Sequence, residues 1–336
     1  MNPVRTLLRK TLNNKKLNII SVSTHERYET ALSHCNINIY DIDGHPFKSW
    51  NTTYAPVPDN IHIFKYNGKM EIPIGVDFDL VLSHTRYGQY QYLSQIAREL
   101  HLPLVCLEHT LPMPSWPQEH LSEVKMLKGN KNVFISEYSR AKWGWNENEA
   151  DVIHHGVDTK LFNNNNENRL CHILSVCNDW INRDEPCGFS FWKEACNTLP
   201  VLPVGDTPGL SKPAETVEQL VEFYNTSQVF VNTSLVSPVP TSLLEAMSCG
   251  CCCVSTDTCM IPEIIKDGYN GFLAKTPHEM RKKLEVCLSD PDLCNEIGQN
   301  ARKTILEHFS LQQFIDNWNS LFEEASHFVY RGDYEN

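Results

Sequence analysis

One glutamate in the run PTSLLEAMSCGCCCVSTDTCMIPEII, residues 240–265, stands where a carboxylate could grip a ligand. Pro240 and the hydroxyl residues Thr241 and Ser242 open a helical run, and the first amides of a helix have no partner within it. The amides of Thr241, Ser242 and Leu243 would then offer a seat for a diphosphate, assisted by the helix dipole. Glu245 follows one turn later. A carboxylate there can accept two hydrogen bonds from vicinal hydroxyls such as those of a ribose. These groups make a nucleotide site without a glycine-rich loop; neither G-x-x-x-x-G-K-[ST] nor G-x-G-x-x-G occurs in the chain. The local pattern fits a solvated helix glutamate equally well.

Cysteine is the other conspicuous residue type. Thirteen occur, three of them adjacent at 251–253, and Cys249 and Cys252 form a C-x-x-C. No second pair stands at zinc spacing, so the run reads as small apolar filler of a buried strand and no metal is expected. With no charged-then-apolar leader and no apolar run of bilayer length, the cysteines read as reduced thiols of a cytoplasmic protein. Net charge is 29 − 41 = −12, which disfavours coating nucleic acid with the whole surface. Arg5, Arg9, Lys10, Lys15 and Lys16 are a local exception. They form either a solvated terminus or a contact with an anionic membrane surface or polyanionic acceptor, which would make the protein peripheral to a membrane.

Positioning such groups requires a scaffold, and apolar runs alternate with helical patterns along the chain. LNIISVS (17–23), INIYDI (37–42), DLVLSH (79–84), LVCLEH (104–109) and NVFISEY (132–138) read as strands. Tyr90, Leu93, Ile96, Ala97 and Leu100 recur at helical spacing, and PQEHLSEVKMLK (117–128) is a second helix. The asparagine-rich stretch NNNNENR reads as a linker. Beyond it the alternation restarts with strands at 171–178, 200–205, 228–234 and 251–257 and helices near 189–198, 215–224 and Glu245. The tail from Pro277 is helical, one face carrying Leu284, Cys287 and Leu288 and another Phe314, Ile315, Trp318, Leu321 and Phe322. The expected architecture is α/β: two Rossmann-like domains, 1–158 and 165–310, facing across a cleft, with a C-terminal helix at 311–336 returning to the first.

PTSLLEAMSCG followed by VSTDTCMIPEIIKDGYNGFLA resembles the donor-site signature of GT-B glycosyltransferases of the family 4 type. VIHHGVDTKLF (152–162) is similar to that family's linker, and FISEYSRAKWG to the element before it. The resemblance spans roughly residues 130–310; the first 75 residues match only a generic Rossmann half. It implies a retaining, metal-independent transferase without cofactor, whose co-substrate is a nucleoside diphosphate-sugar, UDP-sugar first among them. It identifies Glu245 as the ribose ligand, the second glutamate of an E-x7-E motif. His109 falls where these enzymes place a histidine beside the transferred sugar; alone it would read as an ordinary strand-end histidine.

Departures from the family pattern bear on the same site. The first glutamate of E-x7-E is Ser237, which puts donor identity in question. The usual glycine pair is Cys259 and Met260, whose side chains would narrow the approach of backbone amides to the sugar phosphate. Of the family's diphosphate-binding Arg…Lys pair, Asn178 stands at the arginine and Arg183 close to the lysine. Arg183 would neutralise the departing diphosphate. The resemblance implies transfer to a glycan or lipid-linked glycan. Two alternatives stay open: transfer to modified, hydroxymethylated DNA bases, and a non-catalytic nucleotide-sugar-binding or interaction protein of the same fold.

Overall fold

The computed structural model describes residues 16–44, 46–52, 55–65, 75–113, 115–165, 168–237 and 239–328. Arg5, Arg9, Lys10 and Lys15 lie outside the described residues, so the expected anionic-surface contact does too, save for the exposed Lys16. The chain divides into two compact units, Met1–His154 with Phe314–Asn336, and His155–Gln313.

Among the described residues the first unit holds seven parallel strands: β1 (Leu17–Ser21), β2 (Ile37–Asp43), β3 (Ile61–Lys65), β4 (Leu80–Ser83), β5 (Leu104–Glu108), β6 (Lys131–Phe134) and β7 (Asp151–Val152). Their order is β3-β2-β1-β4-β5-β6-β7. The central strands LNIIS, LVLS and LVCLE are buried along their whole length, as a parallel sheet covered on both faces demands. Helix Tyr90–Glu99 buries Leu93, Ile96 and Ala97, the stripe its periodicity announces, against Val81, Leu102 and Cys106. Helix Leu311–Ser326 buries Phe314, Trp318, Leu321, Phe322 and Ala325, with Ile315 only half-buried, and the Trp318 indole N–H donates to the Tyr28 hydroxyl at 3.2 Å.

Among the described residues the second unit has five parallel strands, β8 (Leu170–Val176), β9 (Val201–Val204), β10 (Ser227–Asn232), β11 (Cys252–Thr256) and β12 (Phe272–Ala274), in the order β12-β11-β10-β8-β9. Val229, Val231, Cys252 and Val254 pack under Met280, Leu284 and Cys287 of helix Pro277–Ser289 and Ile297 of helix Pro291–His308. Thr276 and Asp290 cap these two helices, their side chains accepting from the amides of Glu279 and Leu293.

Each sheet reverses its order once. In the first unit the chain runs outward from β1 to β3, then crosses to β4 on the other side of β1. In the second it passes from β8 to β9, then crosses to β10. In such sheets the connections leave in opposite directions at the reversal, opening a crevice at the carboxyl ends of the strands. The crevices therefore lie where β1 and β4, and β8 and β10, end.

Candidate functional site

The reversal between β8 and β10 gathers most of the candidate residues. Helix Thr241–Ser248 starts at Pro240 with no side-chain cap. Its carboxyl end is closed by two arginines: Arg302 donates to the Ser248 carbonyl, and Arg169 donates to that of Cys249 at 2.5 Å. The amino end is different. The Leu243 amide is taken by the Pro240 carbonyl at 3.0 Å, so of the three expected amides this one is satisfied by the helix itself. For the amides of Thr241 and Ser242 no acceptor is found among the described residues.

Glu245 is 7% exposed, which removes the reading of a solvated helix glutamate. Its Oε2 accepts from the Tyr224 hydroxyl at 2.9 Å. Burial, and then the Glu245 charge, push the Tyr224 phenol well above its ordinary range, so the hydroxyl stays a donor. Tyr224 is held in turn from its backbone: its carbonyl accepts from Arg169 at 2.7 Å and from the Cys251 thiol at 3.0 Å. The cysteine run thus fixes the carboxylate through Tyr224. Tyr224 escapes motif reading because Leu220, Val221 and Tyr224 look like an ordinary core stripe. The available signal is that a buried tyrosine needs a partner for its hydroxyl.

Two loops flank this helix. Arg183 is exposed, just before the short helix Asp184–Cys187, with Nη1 3.5 Å from the Asn178 carbonyl. Asn178 Oδ1 accepts from the Asp206 amide at 2.9 Å, so this oxygen fastens the loop after β9. Ser237, half-buried, lies in the loop after β10. There the amides of Leu235 and Val236 both donate to the Pro186 carbonyl, at 2.9 and 3.1 Å, and Thr233 Oγ1 donates to the Cys187 carbonyl at 3.1 Å. Gly188, at φ +66°, passes so close that a Cβ would stand 2.1 Å from the Thr233 carbonyl oxygen. The two loops are locked into one piece.

Cys259 adopts φ +52°, the left-handed conformation that glycine takes without strain. The neighbouring Thr258 Oγ1 holds the turn by donating to the Leu235 carbonyl at 3.0 Å. Met260 corrects the expectation that both side chains narrow the phosphate approach: it is fully buried, its side chain consumed by the core. Cys249 and Cys252 do not form a zinc pair. The partner of the Cys252 sulfur is that of Cys287, at 3.6 Å, and Cys294 completes a group of three buried thiols. Hydrogen bonds with Cys252 and Cys287 pull the Cys294 thiol down to about 4, whereas the Cys287 thiol, lowered by its hydrogen bond with Cys252, is on balance raised to about 12 by its hydrogen bond with Cys294 and by burial.

His109 follows β5 in the first unit and is buried beside that sheet's reversal. Its Nε2 lies 3.1 Å from Nδ1 of His84, the residue after β4, and the Tyr28 ring meets it edge-on at 4.4 Å. Next to it Glu108 accepts from the Arg86 amide at 3.0 Å and from the Thr110 hydroxyl at 2.7 Å. The Arg86 guanidinium, fully buried, lies over the rings of Phe134 and Trp145, 4.8 Å from each, and donates to Asn132 Oδ1 at 3.2 Å. Burial pushes the Glu108 carboxyl up, and Arg86 offsets part of that. Neither His84 nor Arg86 belongs to the motifs singled out in the sequence.

Residues 213–304 match the family model described as glycosyl transferases group 1. Over these residues the chain is similar to the group 1 glycosyltransferases. The matched segment contains Ser237, Thr241, Ser242, Leu243, Glu245, Cys259 and Met260; His109, Asn178 and Arg183 lie before it. An uncharacterized glycosyltransferase of Methanocaldococcus jannaschii, MJ1069, is 28% identical over 109 residues, which is 32% of this chain and 28% of that protein. N-acetyl-alpha-D-glucosaminyl L-malate synthase of Bacillus anthracis is 30% identical over 86 residues, 25% of this chain and 22% of that one. The chain thus aligns with about a quarter of the length of these curated relatives. Among solved structures, a glycosyltransferase from Rickettsia africae ESF-5 is similar at TM-score 0.72 and 15% identity, over 93% of this chain and 99% of that one. Anabaena Alr3699/HepE in complex with UDP gives TM-score 0.72 and 16% identity, over 92% and 100%. These likenesses establish the GT-B fold. Among the described residues no helix is long and apolar enough to cross a membrane.

Proposed function

We propose that the protein is a retaining glycosyltransferase that moves a sugar from a nucleoside diphosphate-sugar, UDP-sugar first, to a glycan or lipid-linked glycan, without a metal. The observation that carries this reading is the convergence at the β8–β10 reversal. There the uncapped helix start, the buried Glu245 and the exposed Arg183 belong to adjoining pieces of one sheet edge. The helix start and Arg183 suit a diphosphate, and Glu245 suits a ribose. That the Anabaena neighbour was crystallised with UDP supports the choice of nucleotide.

As the glycosidic bond breaks, negative charge grows on the departing diphosphate. A fixed guanidinium and helix amides gain most at that moment, so they stabilise the transition state more than the bound donor. In front-face return, the departing phosphate takes the acceptor's proton while the acceptor oxygen forms its bond on the side the phosphate leaves. His109 would hold a hydroxyl of the transferred sugar.

A thermal-shift and turnover panel of UDP-, GDP- and ADP-sugars tests the reading. A bound donor at a hundred times its Kd stabilises by about 2.7 kcal/mol. One nucleotide class should raise Tm and be consumed, with the anomeric configuration kept in the product. Binding without consumption would assign the non-catalytic role; neither binding nor consumption would refute the function.

A further inference from the structure

The crevice of the first unit contains a buried chain of polar groups that the reading above uses only at its last member. Glu29, on helix Glu26–Leu32, places Oε1 3.1 Å from Nε2 of His84. His84 places Nδ1 3.1 Å from Nε2 of His109, and the two imidazoles lie in parallel planes, 4° apart. Glu29 and His84 are fully buried; the Glu29–His84 approach is close, but neither Glu29 oxygen nor His84 Nε2 has an aligned hydrogen bond among the described residues, and the Thr24 backbone acts on the Glu29 carboxyl from the other direction, lowering it. A carboxyl group so enclosed needs an explanation, because an unpaired buried charge is far more costly than a neutral acid.

We propose that Glu29 and His84 are positioning residues that hold His109 as its Nδ1–H tautomer, so that His109 meets its ligand as a hydrogen-bond donor. The argument is one of counting protons. Two ring nitrogens 3.1 Å apart need one proton between them; two would clash, and none would oppose lone pairs. A neutral His84 has a single N–H. When Glu29 keeps its own proton and turns it toward His84 Nε2 as a hydrogen-bond donor, His84 stays neutral and its one proton must be on Nδ1, pointing at His109 Nε2. The proton of His109 is then left on Nδ1.

The electrostatics favour that direction. Burial, then the Asp41 carboxylate, push the Glu29 carboxyl well above its usual range, and burial pushes the His84 imidazole down to about 3. The other charged or titratable groups around the chain are His25, edge-on to His109 at 5.6 Å, Tyr28, Asp43, and Glu26 paired with Lys48. Lys48 is 2.8 Å from Glu26, so its charge is already engaged one helical turn from Glu29. The inference rests on the proposed function for the role of His109, whereas the tautomer is a property of the protein alone.

Nitrogen-15 NMR of the full chain labelled at histidine reads the tautomer directly, with the His109 signals assigned by their loss in His109→Gln. The wild type should show His109 protonated at Nδ1. Glu29→Gln, whose amide can still donate to His84, should keep that pattern. Glu29→Leu and His84→Leu should populate the Nε2–H form and slow donor turnover on the order of tenfold, the net worth of about one hydrogen bond. Their affinity for UDP should stay that of the wild type. If the leucine variants do not fold, His84→Asn, which can still donate to His109, should keep the Nδ1–H pattern. An Nε2–H tautomer in the wild type, or an unchanged tautomer in folded Glu29→Leu, overturns the proposal. A wild type with this tautomer but no turnover of any nucleotide-sugar refutes the proposed function and leaves the chain of protons standing.

Discussion

Glu245 allows binding and folding to be separated by two substitutions at one position. Its Oε2 accepts from Tyr224 at 2.9 Å, and both side chains are buried. Glu245→Ala leaves the Tyr224 hydroxyl without that acceptor, at about 1–3 kcal/mol of stability. Glu245→Gln keeps an oxygen for Tyr224 and should cost less than about 1 kcal/mol. Affinity follows a different count. Each ribose hydroxyl bonded to a carboxylate contributes about 1.5–3 kcal/mol, against about 0.5–1.5 for a neutral acceptor. Loss of charge at two such bonds is therefore about 2 kcal/mol, a roughly thirtyfold rise in Kd for Glu245→Gln. Loss of the bonds in Glu245→Ala should exceed a hundredfold. Titration calorimetry with UDP and urea unfolding on the same preparations give both quantities. A UDP affinity within about threefold of wild type in both folded variants would refute the ribose assignment.

Arg183→Ala should lower kcat by two to three decades on the scale of one preorganised donor, with Lys restoring only part. Because Arg183 is exposed, its Tm should not move; full single-turnover activity per folded molecule would end its role. Gly188→Ala forces a Cβ to within 2.1 Å of the Thr233 carbonyl oxygen, at a left-handed position. It should cost on the order of 3 kcal/mol in urea unfolding, strain and displacement of the Thr233 backbone together. An unchanged midpoint would mean the loops are not locked. Burial pushes the Asp41 carboxyl from 3.8 up to about 7. The folded state then keeps a proton that the unfolded chain gives up, so this stability is complete below about pH 4 and lost as pH rises through 7. Asp41→Asn removes that titration, and its advantage over wild type should grow from pH 5 to 8, by at most about 4 kcal/mol. A pH-independent difference in Tm would contradict the shift.

The sequence periodicity displays the elements that are buried on both sides or carry a wide apolar stripe, and hides the rest. LVCLE and QVFVN are read at once because a covered parallel strand is apolar along its length. β3 (IHIFK), β7 and β12 were not anticipated: they are edge strands with a single neighbour, and β7 and β12 have two and three residues. Helix Glu26–Leu32 escapes because Glu26 and Glu29 occupy buried positions, where pattern reading expects apolar residues. Glu245 is legible from its place after Pro240, yet its burial is not. That burial depends on Tyr224 and Arg169, brought to it from other elements. Asn178 has a contact that its place in the motif does not announce: its side-chain oxygen fastens the loop after β9.

The Pro186 carbonyl that accepts two amides of the loop after β10 has a consequence for how this protein can change. Arg183 and Ser237 ride on a single jaw whose halves come from distant stretches of the chain. Side-chain exchange on that jaw alters its chemistry but not its spacing. Transplanting either stretch alone from another protein of this fold would bring a backbone that no longer meets its mate at Pro186 and Gly188. Under the proposed function, a new donor preference would be reached by point substitution along the rim, or by carrying both stretches over as a single inherited block.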